Sequence, residues 1–231
     1  MINKLRSFLP LSFRRTFVRQ RKFYEDFYRV LPNSPANKGH LLMYVGLGIS
    51  FLTPLEILIY HTLRKAGWRV DYVIYDDSVI LNEVVTKEIR KKFGRRFWRD
   101  SARMSRVLLK AAKVEFSTVP FNPELGAGIR NNYQTLHDVF NCVYNNVHVG
   151  DIVKGTMFRY YKSLTFGDDA LEVAQEFLVT SISNLEHIRN LTSLNSYSYV
   201  LMSHGIYCTW QPVVEHCRNI ELNYICDRSL F

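Results

Sequence analysis

The residues best equipped for chemistry fall in one run, Ser203-His204-Gly205-Ile206-Tyr207-Cys208-Thr209-Trp210, directly after the apolar stretch 197–202. An imidazole titrates near neutrality, so His204 can take a proton from an attacking hydroxyl, or bind a phosphate when charged. A His that follows a strand is as readily a residue that braces its neighbours, and both readings stand. Tyr207 and Trp210 offer rings that could stack on a sugar or simply close the end of a sheet. The pattern predicts a strand, then a Gly-containing loop carrying these side chains, then a short helix from Pro212 to Cys217. Open α/β sheets keep their ligands in such loops, outside the carboxyl ends of the strands.

Three other places carry suitable groups. Gly46 and Gly48 follow an apolar run and precede a helical pattern, the context of a phosphate-cradling turn, although the third Gly and the ribose-binding acid of a dinucleotide fingerprint are missing. A tight turn is the plainer reading. Asp76 and Asp77 end a second strand pattern, where a carboxylate can act as base, bind a hydroxyl, or cap a helix. In the segment 149–162, Arg159 can grip a phosphate or carboxylate with two donors, and Tyr160 and Tyr161 can pack on a sugar, while Ile152, Val153 and Met157 supply a core-facing side. No Walker motif, His-Glu-x-x-His motif or Ser-His-Asp order is present, which leaves P-loop, metalloprotease and hydrolase chemistry without support.

These residues need elements to hold them. Residues 40–45 read as a buried strand, 53–65 as a helix whose Thr53, Pro54 and Glu56 have the spacing of a capping box, and 68–75 as a second strand. This is a βαβ unit, and it predicts an α/β fold: a Rossmann-like, mostly parallel open sheet with flanking helices and a basic helical insertion. One or two helices bending near Gly94 are expected over 80–113, a short strand at 114–119, and a Gly126/Gly128 loop. Helices around 133–144 and 149–162, a long helix over 168–190 led by Asp168, Asp169 and Glu172, and strands at 197–203 and 222–226 complete the order.

At 231 residues and 47% apolar, the chain can bury one sizeable core. Its net charge of +9 is concentrated in two blocks. Residues 1–31 hold eight Lys/Arg against Glu25 and Asp26, and residues 87–113 hold eleven against Glu88 and Asp100. That pattern points to an anionic partner surface. Within the first block, Phe13, Phe17, Tyr24, Phe27, Tyr28 and Leu31 recur at helical spacing opposite a basic face. Such a helix suits packing on its own domain with a solvated basic face, and after that an anionic membrane interface or a nucleic acid. Residues 1–38 thus read as a basic amphipathic helix and linker, and 39–231 as the Rossmann-like domain. There is no transmembrane run, no signal peptide, no metal-ligand spacing, and the four cysteines read as reduced structural thiols of a cytoplasmic protein.

Over residues 40–228 the chain resembles the N-terminal domain of bacterial capsule and surface-polysaccharide glycosyltransferases, including those of O-antigen type, whose GT-B architecture faces two Rossmann-like domains across a cleft. The likeness rests on the first βαβ unit with Leu63 to Val73, on Val149-Gly150-Asp151-Ile152-Val153 leading to Arg159-Tyr160-Tyr161, and on His204 to Trp210. Gln211 stands where the family pattern has Gly. The resemblance implies an acceptor-binding half, with a glycan or lipid-linked acceptor held by Gly46, Gly48, Arg159, Tyr160, Gly205, Tyr207, Thr209 and Trp210 and with His204 and Asp76 in catalysis. It implies work at the inner membrane face and no cofactor within these residues. The nucleotide-sugar donor would be bound by a separate donor domain or subunit, so the chain alone is expected to be weakly active or inactive. The competing expectation is a non-catalytic α/β scaffold, or a protein that binds an anionic membrane or nucleic-acid surface. Against nucleic acid, the basic run 87–113 has few stacking aromatics and belongs to no known module.

Overall fold

A computed structural model describes residues 18, 19, 22, 23, 26, 36–46, 52–76, 87–93, 96–119 and 122–226. Five strands and eight helices follow in the order β1 (His40–Gly46), α1 (Thr53–Lys65), β2 (Arg69–Tyr75), α2 (Lys87–Phe93), α3 (Arg96–Ala111), β3 (Phe116–Val119), α4 (Pro123–Asn132), α5 (Leu136–Phe140), α6 (Val149–Tyr161), α7 (Ala170–Leu194), β4 (Tyr199–Met202), α8 (Tyr207–Asn219) and β5 (Tyr224–Cys226). Every strand pair is parallel, and the sheet order is β3-β2-β1-β4-β5. The Rossmann-like α/β expectation is therefore met. Gly48, Asp77, Gly94 and most of the predicted helix over 13–31 lie outside the described residues.

The strands read as continuous apolar runs because both faces are covered. Leu41, Met43, Val45, Val70, Tyr72 and Ile74 pack with Ile57, Tyr60, Leu108 and Leu109 of α1 and α3. Leu42, Tyr44, Val73 and Tyr75 point the other way, into a larger layer built by α4 to α8. The long helix α7 presents Val173, Ala174, Phe177, Leu178, Ser181, Asn184, Leu185 and Ile188 to that layer, the three- and four-residue spacing of a helix with one buried stripe. Among the described residues no helix is long and apolar enough to cross a membrane.

Two local expectations are corrected. Thr53 is not the cap of α1: Leu52 holds that position, and the buried Thr53 hydroxyl donates instead to Ser105 Oγ at 2.8 Å. Glu56 is also buried and accepts from the Tyr72 hydroxyl at 2.8 Å. The first turn of α1 is enclosed by α3 and the sheet, so tertiary partners take the groups a solvent-exposed end would have used for capping. The only full capping box among the described helices, Thr135 with Asp138, opens α5. Gly126 and Gly128 lie within α4 and not in a loop, because Asn122 caps that helix with bonds from the Glu124 and Leu125 amides and Ile129 is buried by it. Two glycines cost a helix about 1 kcal/mol each, and the cap and burial offset this.

Two cations of the second basic block, Lys87 and Arg90, are engaged inside the fold. Lys87 pairs with Asp169 at 3.4 Å and sits 4.9 Å from the centre of the Tyr161 ring, whose hydroxyl donates to the same carboxylate at 2.7 Å. Arg90 lies 3.9 Å from Glu172 and 3.5 Å from Glu176. The acidic first turn of α7 thus holds α2 as well as favouring its own positive helix end.

Burial, opposed in part by the Tyr72 hydrogen bond, holds the Glu56 carboxyl up from about 4.5 to about 7. Between these two values the folded chain keeps a proton that the unfolded chain releases. The stability this contributes is complete below about pH 4.5 and is lost as pH rises through about 7. Glu56→Gln keeps an acceptor for Tyr72 without ionising. Its unfolding free energy, measured in urea, should gain on the wild type by about 2–3 kcal/mol between pH 4.5 and 8 and then level off. A pH-independent difference would contradict a buried neutral carboxyl.

Candidate functional site

The strand order reverses direction between β1 and β4, and a crevice opens outside the carboxyl ends of two such strands. Gly46 ends β1 there, and Ser203-His204-Gly205 follow β4. Asp76 follows β2, on the far side of β1. Two strand spacings, about 10 Å, separate the ends of β2 and β4, so Asp76 and His204 flank the crevice.

His204 is half-exposed, with Nδ1 3.1 Å from the Ser203 carbonyl oxygen and its ring tilted against Trp210 at 5.4 Å between centres. If Nδ1 carries the hydrogen that Ser203 accepts, Nε2 is the lone-pair nitrogen, the form a general base requires. Arg159, exposed near the end of α6, lies with its guanidinium carbon 5.1 Å from the centre of the half-exposed Tyr207 ring. The Cys208 amide donates to Thr156 Oγ1 at 3.1 Å, which fixes the start of α8 beside the stretch of α6 that carries Arg159. Tyr207 has φ 67°, an unfavourable angle for a bulky side chain, at the point where the chain turns into α8. At β2, Arg106 donates to the Tyr75 carbonyl at 3.4 Å and feels the charge of Asp76, so that carboxylate has a cation beside it.

Several predicted ligand residues turn out to be structural. The expected loop after His204 is mostly helix, since α8 begins at Tyr207 and not near Pro212. Thr209 is fully buried, and Trp210, at 2% exposure, donates its indole hydrogen to the Val45 carbonyl at 3.1 Å. A carbohydrate could not stack on that ring. Tyr160 is buried at 1% exposure, edge-on to Phe177 at 5.8 Å, with Arg90 as its hydrogen-bond partner. These side chains are apolar enough to be drawn into the core once α8 and α6 pack against α7. Gly46 has φ 69°, and a β-carbon on it would stand 2.4 Å from Thr209 Cγ2, so its role is close packing of β1 on α8. A β-carbon on Gly205 would meet Cys226 Sγ at 2.8 Å. The crevice therefore retains His204, Arg159 and Tyr207, with Asp76 at its far side.

Sequence reasoning passed over Asn184, which is fully buried at the centre of α7. Its Oδ1 accepts from the Tyr44 hydroxyl at 2.6 Å, and its Nδ2 faces the Tyr75 hydroxyl, the Thr180 carbonyl at 2.8 Å and the Cys208 carbonyl at 3.3 Å. The signal was available: an amide residue inside an otherwise apolar helical stripe must find internal partners. Among the described residues, no three His, Cys, Asp or Glu side chains gather where they could hold a metal ion.

Gly46→Ala should lose about 1–2 kcal/mol from the left-handed conformation alone, and more from the approach to Thr209. Thr209→Ser, which removes the obstructing methyl, should restore part of the loss in the double variant. Purely additive unfolding free energies would show that Gly46 does not owe its place to that contact. Set against models of known protein families, curated protein sequences and solved structures, the chain has no significant match in any of the three.

Proposed function

We propose that this chain is the acceptor-binding half of a glycosyltransferase that adds a sugar to a surface polysaccharide or lipid-linked glycan, at the cytoplasmic face of the membrane. The observation that carries the reading is the position of His204, half-exposed in the loop after β4 where the sheet order reverses. It is supported by the resemblance of the His204 to Trp210 and Val149 to Tyr161 segments to that enzyme class.

In this reading His204 Nε2 takes the proton from the acceptor hydroxyl as that oxygen attacks the sugar's anomeric carbon, and the nucleotide leaves with the bonding electron pair. Arg159 draws in an acceptor phosphate or carboxylate, and Tyr207 holds the guanidinium in place. Asp76, tempered by Arg106, binds hydroxyls at the far side of the crevice and is not the base. The nucleotide-sugar comes from a second domain or subunit. A non-catalytic scaffold is the second reading, and the burial of Tyr160, Thr209 and Trp210 favours it, because most of the matching motif residues then serve the core.

The two readings part over His204 and Arg159. With a polyprenyl-phosphate-linked sugar as probe, Arg159→Gln should weaken binding about tenfold through loss of a charged, two-donor contact. His204→Ala should leave binding within about twofold but lower transfer about 10²–10⁴-fold once a donor partner is supplied, the usual contribution of a general base. Unchanged binding in the first variant together with unchanged transfer in the second would leave the scaffold.

A further inference from the structure

Among the described residues, one part of the sheet is left bare. On the side covered by α1 and α3, the strands β1 and β2 are buried, but the neighbouring strands β4 and β5 are not. Tyr199 and Leu201 of β4 face that side, and Leu201 stands opposite Ile225 of β5 in register, so Ile225 faces it too. Tyr199 is 37% and Ile225 50% exposed. Ile59 and Leu63 of α1, Trp68 and Leu201 are only partly covered at the margin of the same layer. Trp68 stands edge-on to Tyr199 at 5.9 Å, which ties the end of α1 to the start of β4. Together these side chains line an apolar trough along the reverse of β4 and β5.

We propose that the trough is the seat of the amphipathic segment 13–31 of the same chain, which docks by its aromatic stripe. Three observations favour this occupant over others. First, the chain enters the domain at the trough: the Asn37 and Lys38 amides both donate to the Gly67 carbonyl, at 3.0 and 2.9 Å, one residue from Trp68. The five residue steps from Leu31 to Ala36 span at most about 17 Å, enough to start the segment at that end. Second, Phe13, Phe17, Tyr24, Phe27, Tyr28 and Leu31 fall within one sector of about 100° on a helix of 3.6 residues per turn, a complement to an aliphatic and aromatic trough. Third, the five described residues of this stretch, Val18, Arg19, Lys22, Phe23 and Asp26, are helical and exposed, and all five fall outside that sector. Docked in this way, the segment covers the trough and turns its basic side outward.

The test uses the full chain in a Trp98→Phe background, so that emission comes from Trp68 in the trough and the buried Trp210. Phe17→Lys with Phe27→Lys should red-shift the emission, raise acrylamide quenching several-fold and lower Tm by several degrees. Val18→Lys, on the exposed side, should change none of these. From the opposite partner, Ile225→Lys should speed tryptic cleavage between Arg14 and Arg29 while circular dichroism reports an intact fold. Unchanged quenching and unchanged cleavage would overturn the proposal. So would quenching that is already high in the parent and falls only with phosphatidylglycerol vesicles, which makes a membrane the occupant. Quenching that rises on simple dilution would overturn it too, by making the occupant a second copy of the chain.

Discussion

Pro212 sits inside α8 and has no amide hydrogen to give the Cys208 carbonyl one turn earlier. Asn184 supplies the missing donor from α7, at 3.3 Å, and the rest of the molecule is organised around that substitution. The same side chain takes the Tyr44 hydroxyl of β1 and faces the Tyr75 hydroxyl of β2, so one amide joins two central strands to two helices. All of these groups are buried, where an orphaned polar atom costs about 1–3 kcal/mol. The arrangement therefore stands or falls as a unit.

Because α8 is held in this way, its first turn is pressed onto the end of β1. The Trp210 indole reaches the Val45 carbonyl, Thr209 occupies the space above Gly46, and the Cys208 amide reaches Thr156 on α6. The chain has only Gly205 and Ile206 in which to pass from His204 to the helix, and it arrives with Tyr207 at a positive φ. The exposure of His204 and the meeting of Tyr207 with Arg159 follow from the anchoring of α8. A polar network in the core thus sets the position of groups at the surface.

The attachment of α2 to α7 is governed by charge. Lys87 and Arg90 of α2 meet Asp169, at the N-cap position of α7, and Glu172 and Glu176 within it, and the Tyr161 hydroxyl shares Asp169. Exposed pairs of this kind are worth about 0–1 kcal/mol each, so it is their number and the half-buried position of Arg90 that hold α2. A block of charge that looked in sequence like a surface for an outside partner is partly used in joining the chain's own elements.

The sequence by itself determined the α/β class, the first βαβ unit, the place of His204 after a strand, and the extent of α1, α6 and α7 to within a few residues. These are periodicity and local chemistry: apolar runs for strands buried on both faces, three- and four-residue spacing for helices, a His next to a Gly at a strand end. What it could not decide was which side each aromatic or polar residue would face once helices packed. Trp210, Thr209 and Tyr160 have the types expected of a sugar site, yet burial beside α7 and β1 removes them from it. Thr53 and Glu56 have the spacing of a cap, yet Ser105 and Tyr72 claim them from 52 and 16 residues away. The role of Asn184 depends on Tyr44, Tyr75 and Cys208, which are 140, 109 and 24 residues distant. Local propensity carries no information about partners so far along the chain, and only the packing of α7 against both the sheet and α8 brings them together.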